Sequence, residues 1–221
     1  MPLRKLPIVL HKHKICISCE GDEEFDYLSC LKSLNVWNDK YEVVLDNAKG
    51  NGNIPARYQD RYQSGSFEIV FIFCDTERKP YEQFEDIKRK INSFHGTYNA
   101  AKHVIFYDNP CTMQIILPHW VDVTLNTPAK KRNAHLIFQY TGVHDYKGKA
   151  SQRKIILNKI TKENYLFIIN RVRSMKNDDS SIGSSNFNLF TSGPFISGLF
   201  VSNAKFVILH ILDNIPIIQF L

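Results

Sequence analysis

A chain of 221 residues can bury one sizeable hydrophobic core with a small addition, and its 43% hydrophobic and 23% charged residues are ordinary for a globular protein. No apolar run reaches the roughly 20 residues that a membrane-spanning helix needs, so the sequence predicts no membrane insertion. The net charge of +6 at pH 7 suits a phosphate-bearing partner and equally suits a set of solvated helix faces.

The N-terminal residues and the cysteines both indicate a cytoplasmic protein. In residues 1–10, a few apolar side chains follow two basic ones, but Pro7 and the basic residues 11–14 interrupt them before a secretory signal could form. The chain has five cysteines, an odd number, mostly in apolar surroundings. These features predict reduced, buried thiols.

Apolar runs alternate with helical patterns from residue 14 to about residue 120. Parallel strands are usually joined by crossover helices, so this alternation predicts an α/β fold with a parallel, Rossmann-like, four-stranded sheet and flanking helices. The predicted strands are 14–19, 41–45, 67–74 and 103–107, and the predicted helices between them are 23–34, 55–61 and 81–94.

The alternation ends after Trp120. Helices are predicted at 129–140, 148–158 and 161–175, followed by a polar loop or disordered hinge at 176–185 and an apolar run at 187–221 that has no clear assignment. We therefore divide the chain into a catalytic-type domain, 1–120, and a mainly helical C-terminal extension, 121–221, packed on it. Basic residues are concentrated in this second part, at Lys130, Lys131, Arg132, Lys147, Lys149, Arg153, Lys154, Lys159, Lys162, Arg171, Arg173 and Lys176.

Acidic residues follow two of the predicted strands. Glu20 comes directly after the first strand and Glu24 lies one helical turn later, while Asp75 and Glu77 follow the third strand. The carboxyl ends of parallel strands meet at one edge of the sheet, where ligands bind in α/β folds. Carboxylates gathered there repel one another unless a cation lies between them, and Mg²⁺ or Mn²⁺ prefers such hard oxygen ligands.

Each of these residues also has a simpler interpretation. Glu20 and Glu24 would suit the positive end of a helix dipole whether or not they bind metal. Asp75 would cap a strand end or accept a phosphoryl group in a receiver-like signalling protein, although no lysine is suitably placed after Tyr107 for the latter. His119, beside Trp120, is predicted to pack in the core.

The motifs at 19–24 (Cys-Glu-Gly-Asp-Glu-Glu) and 75–77 (Asp-Thr-Glu) resemble the strand-end motifs of the TOPRIM domain. The similarity is closest to the RloB-like and OLD-like nucleases of bacterial defence loci, whose block with Asn-Pro and a histidine is similar to residues 108–119. Residues 146–149 (Tyr-Lys-Gly-Lys) are similar to a further patch of that branch. Two positions depart from the family pattern, with Glu77 in place of an aspartate and Gln114 in place of an acidic residue.

The resemblance implies a TOPRIM fold and a metal-dependent nuclease, a hydrolase of phosphodiester bonds in DNA or RNA, including tRNA, that acts in antiviral defence beside an ABC-type ATPase. It assigns the magnesium or manganese ligands to Glu20, Glu24, Asp75 and Glu77. In such an enzyme, Lys147, with Lys149, would act in catalysis by holding the scissile phosphate or neutralising charge in its transition state, and the equal alternative is a solvated turn. The alternative is a catalytically weak TOPRIM-like binding module that docks on a partner ATPase. The oligomeric state is left open.

Overall fold

The computed structural model describes residues 12–77, 80–127 and 130–191. Its centre is a four-stranded sheet in which every pairing is parallel and the strand order is β2-β1-β3-β4. This confirms the predicted α/β class with a parallel, Rossmann-like sheet. The strands are β1 (His13–Cys19), β2 (Tyr41–Asn47), β3 (Ile69–Asp75) and β4 (Ile105–Asp108).

Helices cover the sheet and continue into the second half of the chain. They are α1 (Asp22–Ser33), α2 (Ile54–Gln63), α3 (Glu82–Phe94), α4 (Ala100–Val104), α5 (Met113–Ile116), α6 (Lys130–Thr141), α7 (Ala150–Leu157), α8 (Lys162–Arg173) and α9 (Phe187–Thr191), with 3-10 turns at Asn51–Asn53 and Leu117–His119. Within the described part of the chain, no helix combines the length and the apolar character needed to cross a membrane.

The central strand β3 explains why the sheet is well specified by sequence. Six of its seven residues are buried, as expected for a parallel strand with helices on both faces. Helix α3 packs on one face through Phe84, Ile87 and Ile91, the stripe that helical spacing predicts. It begins at Glu82 and not at Tyr81, because Tyr81 has a left-handed backbone conformation with φ 61°.

The fourth strand is shorter than predicted at its start and longer at its end. His103 and Val104 belong to α4, and pairing with β3 begins only at Ile105, opposite Ile72. The strand continues to Asp108, which lies opposite Asp75. A β-branched residue beside an apolar run predicts a strand from local sequence alone, whereas the true start is set by where the neighbouring strand offers backbone partners.

The C-terminal helices pack on the α1 side of the sheet. Phe187 of α9 is buried, with its ring centroid 5.5 Å from that of Phe73 and 6.0 Å from that of Tyr27. Arg153 of α7 donates from Nε to Asp26 of α1 at 2.7 Å. These contacts attach the second half to the first. The predicted extension 121–221 is described only to residue 191, and most of the apolar run 187–221 lies outside the described residues.

The polar segment 176–185 is a loop, as one alternative predicted; its first residues are largely exposed, and residues 183–185 are buried against the turn after β4. Ser185 forms an antiparallel bridge with Asp108, and Lys88 Nζ lies 2.9 Å from Asp179 Oδ2. Gly183, at φ 82°, lies so close to the Leu125 backbone that an added Cβ would be 2.7 Å from the Leu125 carbonyl oxygen. Glycine is therefore needed there.

Candidate functional site

The strand order reverses between β1 and β3. The chain passes from β1 outward to β2 and then returns to place β3 on the other side of β1. Crevices in open α/β sheets form at such a reversal, beyond the carboxyl ends of the strands. Glu20 directly follows β1 and Asp75 ends β3, so both predicted ligands lie at this point of the sheet.

Glu20 is held at the edge of the sheet by backbone contacts on both sides. Its carboxylate Oε2 accepts a hydrogen bond from the Asp75 backbone N–H at 2.9 Å. Its own N–H donates to the Phe73 carbonyl at 2.9 Å, and its carbonyl accepts from the Gly50 N–H at 2.7 Å. The Glu20 side chain therefore reaches across to β3, which a residue serving only a helix dipole would not do.

Glu24 is buried, with only 3% of its surface exposed, although it lies in the first turn of α1. Its Oε2 accepts the Gly21 backbone N–H at 2.9 Å, which caps the helix. Its Oε1 lies 2.5 Å from Thr112 Oγ1, and that hydroxyl lies 3.0 Å from Asp75 Oδ1. One threonine hydroxyl thus joins the carboxyl groups of Glu24 and Asp75.

The carboxyl group of Asp75 is in an unfavourable place for a negative charge. Its burial, followed by the charges of Glu24 and Glu20, raises the pKa of Asp75 well above its usual range. The folded chain therefore maintains a group that is costly to ionise unless a positive charge arrives. Perturbed carboxyl groups of this kind are concentrated at functional sites.

Asp108 is an acidic residue at the same edge that the sequence did not single out as a ligand. It is fully buried, it pairs with Asp75 across β3 and β4, and neither of its carboxyl oxygens has a hydrogen bond of ordinary geometry in the described part of the chain. Burial raises its pKa, and the nearby Ser185 hydroxyl partly offsets that shift. Its position as the last residue of a strand was the available signal.

The block after β4 contributes a different residue from the one that the family pattern predicts. Gln114 is buried, and its Oε1 accepts the Leu125 backbone N–H at 2.9 Å while its Nε2 lies 3.4 Å from the sulfur of Met175. Its contacts are therefore structural. Thr112, two residues earlier, is the member of this block that contacts the acidic residues.

Glu77 and Lys147 are not joined to this group. Glu77 is exposed, has a backbone φ of 60°, and makes no described hydrogen bond or ion pair. Lys147 is also exposed, and its Nζ lies 2.7 Å from Asp145 Oδ2. The neighbouring Tyr146 hydroxyl donates to Glu23 at 2.9 Å, which places this turn beside the start of α1. Their assigned roles remain predictions.

His119 lies in the core, as its position beside Trp120 predicts. Its Nδ1 donates to Asn164 Oδ1 at 3.1 Å, and its Nε2 lies 3.1 Å from the Tyr27 hydroxyl. Both contacts suit a neutral imidazole, and burial lowers the pKa of His119 to about 4. In the unfolded chain a histidine titrates near pH 6.5, at roughly its reference value.

This difference predicts a pH-dependent loss of stability. As the pH falls below about 6.5, the unfolded chain binds a proton that folded His119 does not accept, and the loss continues until the pH reaches about 4. Between pH 7 and pH 4.5 we expect His119 to lower the free energy of unfolding by about 2 kcal/mol. Urea denaturation of the His119→Gln variant at both pH values should show a loss smaller by that amount. The exposed His135→Gln control should keep the wild-type loss, and an equal loss in His119→Gln would contradict the assignment.

The residues present fit a hard divalent cation. In the described ranges, no three acidic, histidine or cysteine side chains converge closely enough to enclose an ion by themselves. Mg²⁺ does not need such a cage, because it usually binds one or two carboxylates and keeps several waters. Glu24 and Asp75 supply oxygens around one hydroxyl, and Glu20 lies beside them. These would be the residues that hold the ion.

No protein-family model matches the chain, and no curated protein or solved structure is significantly similar to it. The resemblance to TOPRIM nucleases is therefore carried by the motif residues alone.

Proposed function

We propose that this protein is a magnesium- or manganese-dependent nuclease of TOPRIM type that hydrolyses phosphodiester bonds in DNA or RNA. The observation that supports this function best is the joining of Glu24 and Asp75 through one Thr112 hydroxyl, at the point where the strand order reverses. A purely structural network would bury neutral partners there. This one brings acidic groups together, which costs stability unless the site binds a cation.

The chain's own groups would act by holding and orienting. Glu24 and Asp75 supply ligand oxygens, and Glu20 adds a carboxylate that the Asp75 N–H keeps pointing across the crevice. When bound, the ion would lower the pKa of a water and neutralise charge on the phosphate. No tyrosine nucleophile is assigned, so hydrolysis by water is the proposed reaction.

Lys147 has the exposure expected of a contact to the nucleic-acid backbone. Its partner Asp145 is itself 72% exposed, and an ion pair between two solvated side chains contributes little free energy. Lys147 can therefore exchange that partner for a phosphate at small cost. Lys149 in the same turn adds a second positive charge, and every neutralised phosphate would add to the salt dependence of binding.

The biological setting is carried by the resemblance alone. It supports a defence effector that works with an ABC-type ATPase. The competing proposal is a binding module that has kept the acidic residues but not the activity. The two proposals differ in one observable, which is whether purified protein cleaves nucleic acid.

The test is an incubation of purified protein with plasmid, single-stranded DNA and total tRNA in Mg²⁺, Mn²⁺ or EDTA. We expect cleavage of at least one substrate in the metal-containing samples. Glu20→Gln removes an anionic oxygen at nearly constant volume, so it should reduce cleavage to the EDTA level while the circular dichroism spectrum stays unchanged. Glu42→Gln is the matched control. Glu42 lies near the start of β2, is half-exposed, and pairs with Lys14 of β1. Wild-type cleavage by Glu20→Gln would rule out the site, and no cleavage of any substrate by the wild type would favour the binding module.

A further inference from the structure

Thr112 is a fully buried residue held in a well-defined place. It follows β4 by four residues and immediately precedes α5, where its carbonyl oxygen accepts the N–H groups of Ile115 at 3.0 Å and Ile116 at 3.1 Å. A β-branched side chain has few accessible χ1 rotamers, and a buried one has fewer still. The direction of the Thr112 hydroxyl is therefore fixed by the backbone that carries it.

The hydroxyl lies between carboxyl groups that come from separate elements. Glu24 belongs to α1 and Asp75 to β3, and their nearest oxygens lie 2.5 Å and 3.0 Å from Thr112 Oγ1. A hydroxyl has one proton to donate and lone pairs with which to accept. The shorter contact assigns that proton to Glu24, and a lone pair of Oγ1 then faces Asp75 Oδ1, where it accepts a hydrogen bond from the Asp75 carboxyl when that group carries its proton.

Thr112 thus sets the relative positions of two oxygens that would otherwise move apart. Like charges on α1 and β3 repel, and the Gly21 N–H holds only the other oxygen of Glu24, Oε2. Sites for small divalent ions need their ligands within about 0.5 Å of the productive geometry. A group that holds both oxygens before the ion arrives reduces the ordering cost of binding.

We propose that Thr112 is the positioning residue of the metal site, which holds the Glu24 and Asp75 carboxyl groups beside each other before Mg²⁺ or Mn²⁺ binds. This inference rests on the proposed metal-dependent function and adds to it a residue that contacts neither the substrate nor the ion. It acts through the affinity for the ion. At saturating metal, a chain without this hydroxyl should still turn over.

The test compares Mn²⁺ binding by calorimetry in the wild type, Thr112→Val and Thr112→Ser. Valine keeps the shape and removes the hydroxyl, and loss of a partner that orients metal ligands usually weakens affinity by about 10- to 100-fold. Serine keeps the hydroxyl and should restore the dissociation constant to within about threefold of the wild type. In cleavage assays, the metal concentration for half-maximal rate should rise by the same factor for Thr112→Val, while kcat at saturating Mn²⁺ stays close to the wild-type value.

Thr141→Val is the matched control for the cost of losing a buried hydroxyl. Thr141 is equally buried and its hydroxyl donates to the Ile137 carbonyl, away from the acidic residues. It should lose stability without any change in Mn²⁺ affinity. If Thr112→Val does not fold, Thr112→Ala removes the same hydroxyl with less crowding. The ratio of its Mn²⁺ dissociation constant to that of the wild type then tests the positioning role.

Each outcome separates this inference from the proposed function. If the wild type binds Mn²⁺ and cleaves nucleic acid but Thr112→Val binds Mn²⁺ equally well, the positioning role is wrong and the nuclease stands. If the wild type binds Mn²⁺ but cleaves nothing, and Thr112→Val binds Mn²⁺ more weakly than the wild type, the positioning role stands and the nuclease fails. A wild type that binds no Mn²⁺ overturns the positioning role as well.

Discussion

The Asp75→Asn variant is expected to lose metal-dependent cleavage and, in EDTA, to melt at a higher temperature than the wild type. Asp75 is buried beside Glu24, Glu20 and Asp108, and both its burial and these charges raise its pKa. An asparagine of the same shape removes that repulsion, and its amide can donate to the Thr112 hydroxyl that already lies 3.0 Å from Asp75 Oδ1. The stabilisation should be about 1 to 2 kcal/mol, or roughly 2 to 8 °C in melting temperature.

Differential scanning calorimetry in EDTA and in excess Mn²⁺ measures both effects. Added Mn²⁺ should raise the melting temperature of the wild type and leave that of Asp75→Asn unchanged, because an ion that binds only the folded state stabilises it by mass action. Asp39→Asn, at an exposed position before β2, should behave as the wild type in both conditions. If Asp75→Asn melts below the wild type in EDTA, the acidic residues form a structural network and not a strained site.

The Phe187→Ala variant is expected to lose about 4 kcal/mol of unfolding free energy. Phe187 is 1% exposed, and its ring lies 4.9 Å from that of Phe190 in α9 and 5.5 Å from that of Phe73 in β3. Truncation leaves a cavity between the sheet and α9, and such a cavity relaxes only partly. The loss should therefore be among the largest for any single core residue here.

Equilibrium denaturation in urea measures this loss. Phe187→Leu fills most of the cavity and should cost less than about 1.5 kcal/mol. The exposed Phe167→Ala of α8, whose side chain is 54% exposed, should change the free energy of unfolding by no more than about 0.5 kcal/mol. A loss below 1 kcal/mol for Phe187→Ala would mean that α9 is not packed on the sheet as described.

The sheet and part of the site could be predicted because they follow from local patterns. The apolar run of β3 and the stripe of α3 appear directly in the sequence, and the topology of parallel strands then brings Glu20 and Asp75 to one edge. These predictions need no knowledge of distant contacts. They depend only on strand and helix periodicity and on the rule for where such sheets bind ligands.

The remaining features depend on contacts between distant parts of the chain. Nothing local distinguishes Thr112 from any other threonine, because its role comes from Glu24, which is 88 residues away in sequence. Gln114 matched the spacing of a family position but turns to the Leu125 backbone. The segment 176–185 has a composition typical of disorder, yet its polar groups find partners such as Lys88 and the turn after β4.

The most direct measurement is an anomalous difference map from a crystal soaked in Mn²⁺. We predict a peak at the carboxyl ends of β1 and β3, with Asp75 and Glu24 oxygens at about 2.1 Å from the ion, waters completing the coordination, and Glu20 beside them. The same soak of Asp75→Asn crystals should give no peak. A manganese ion bound elsewhere, or an empty edge beside an ordered Glu24–Thr112–Asp75 group in the wild type, would contradict the metal site on which the proposed function depends.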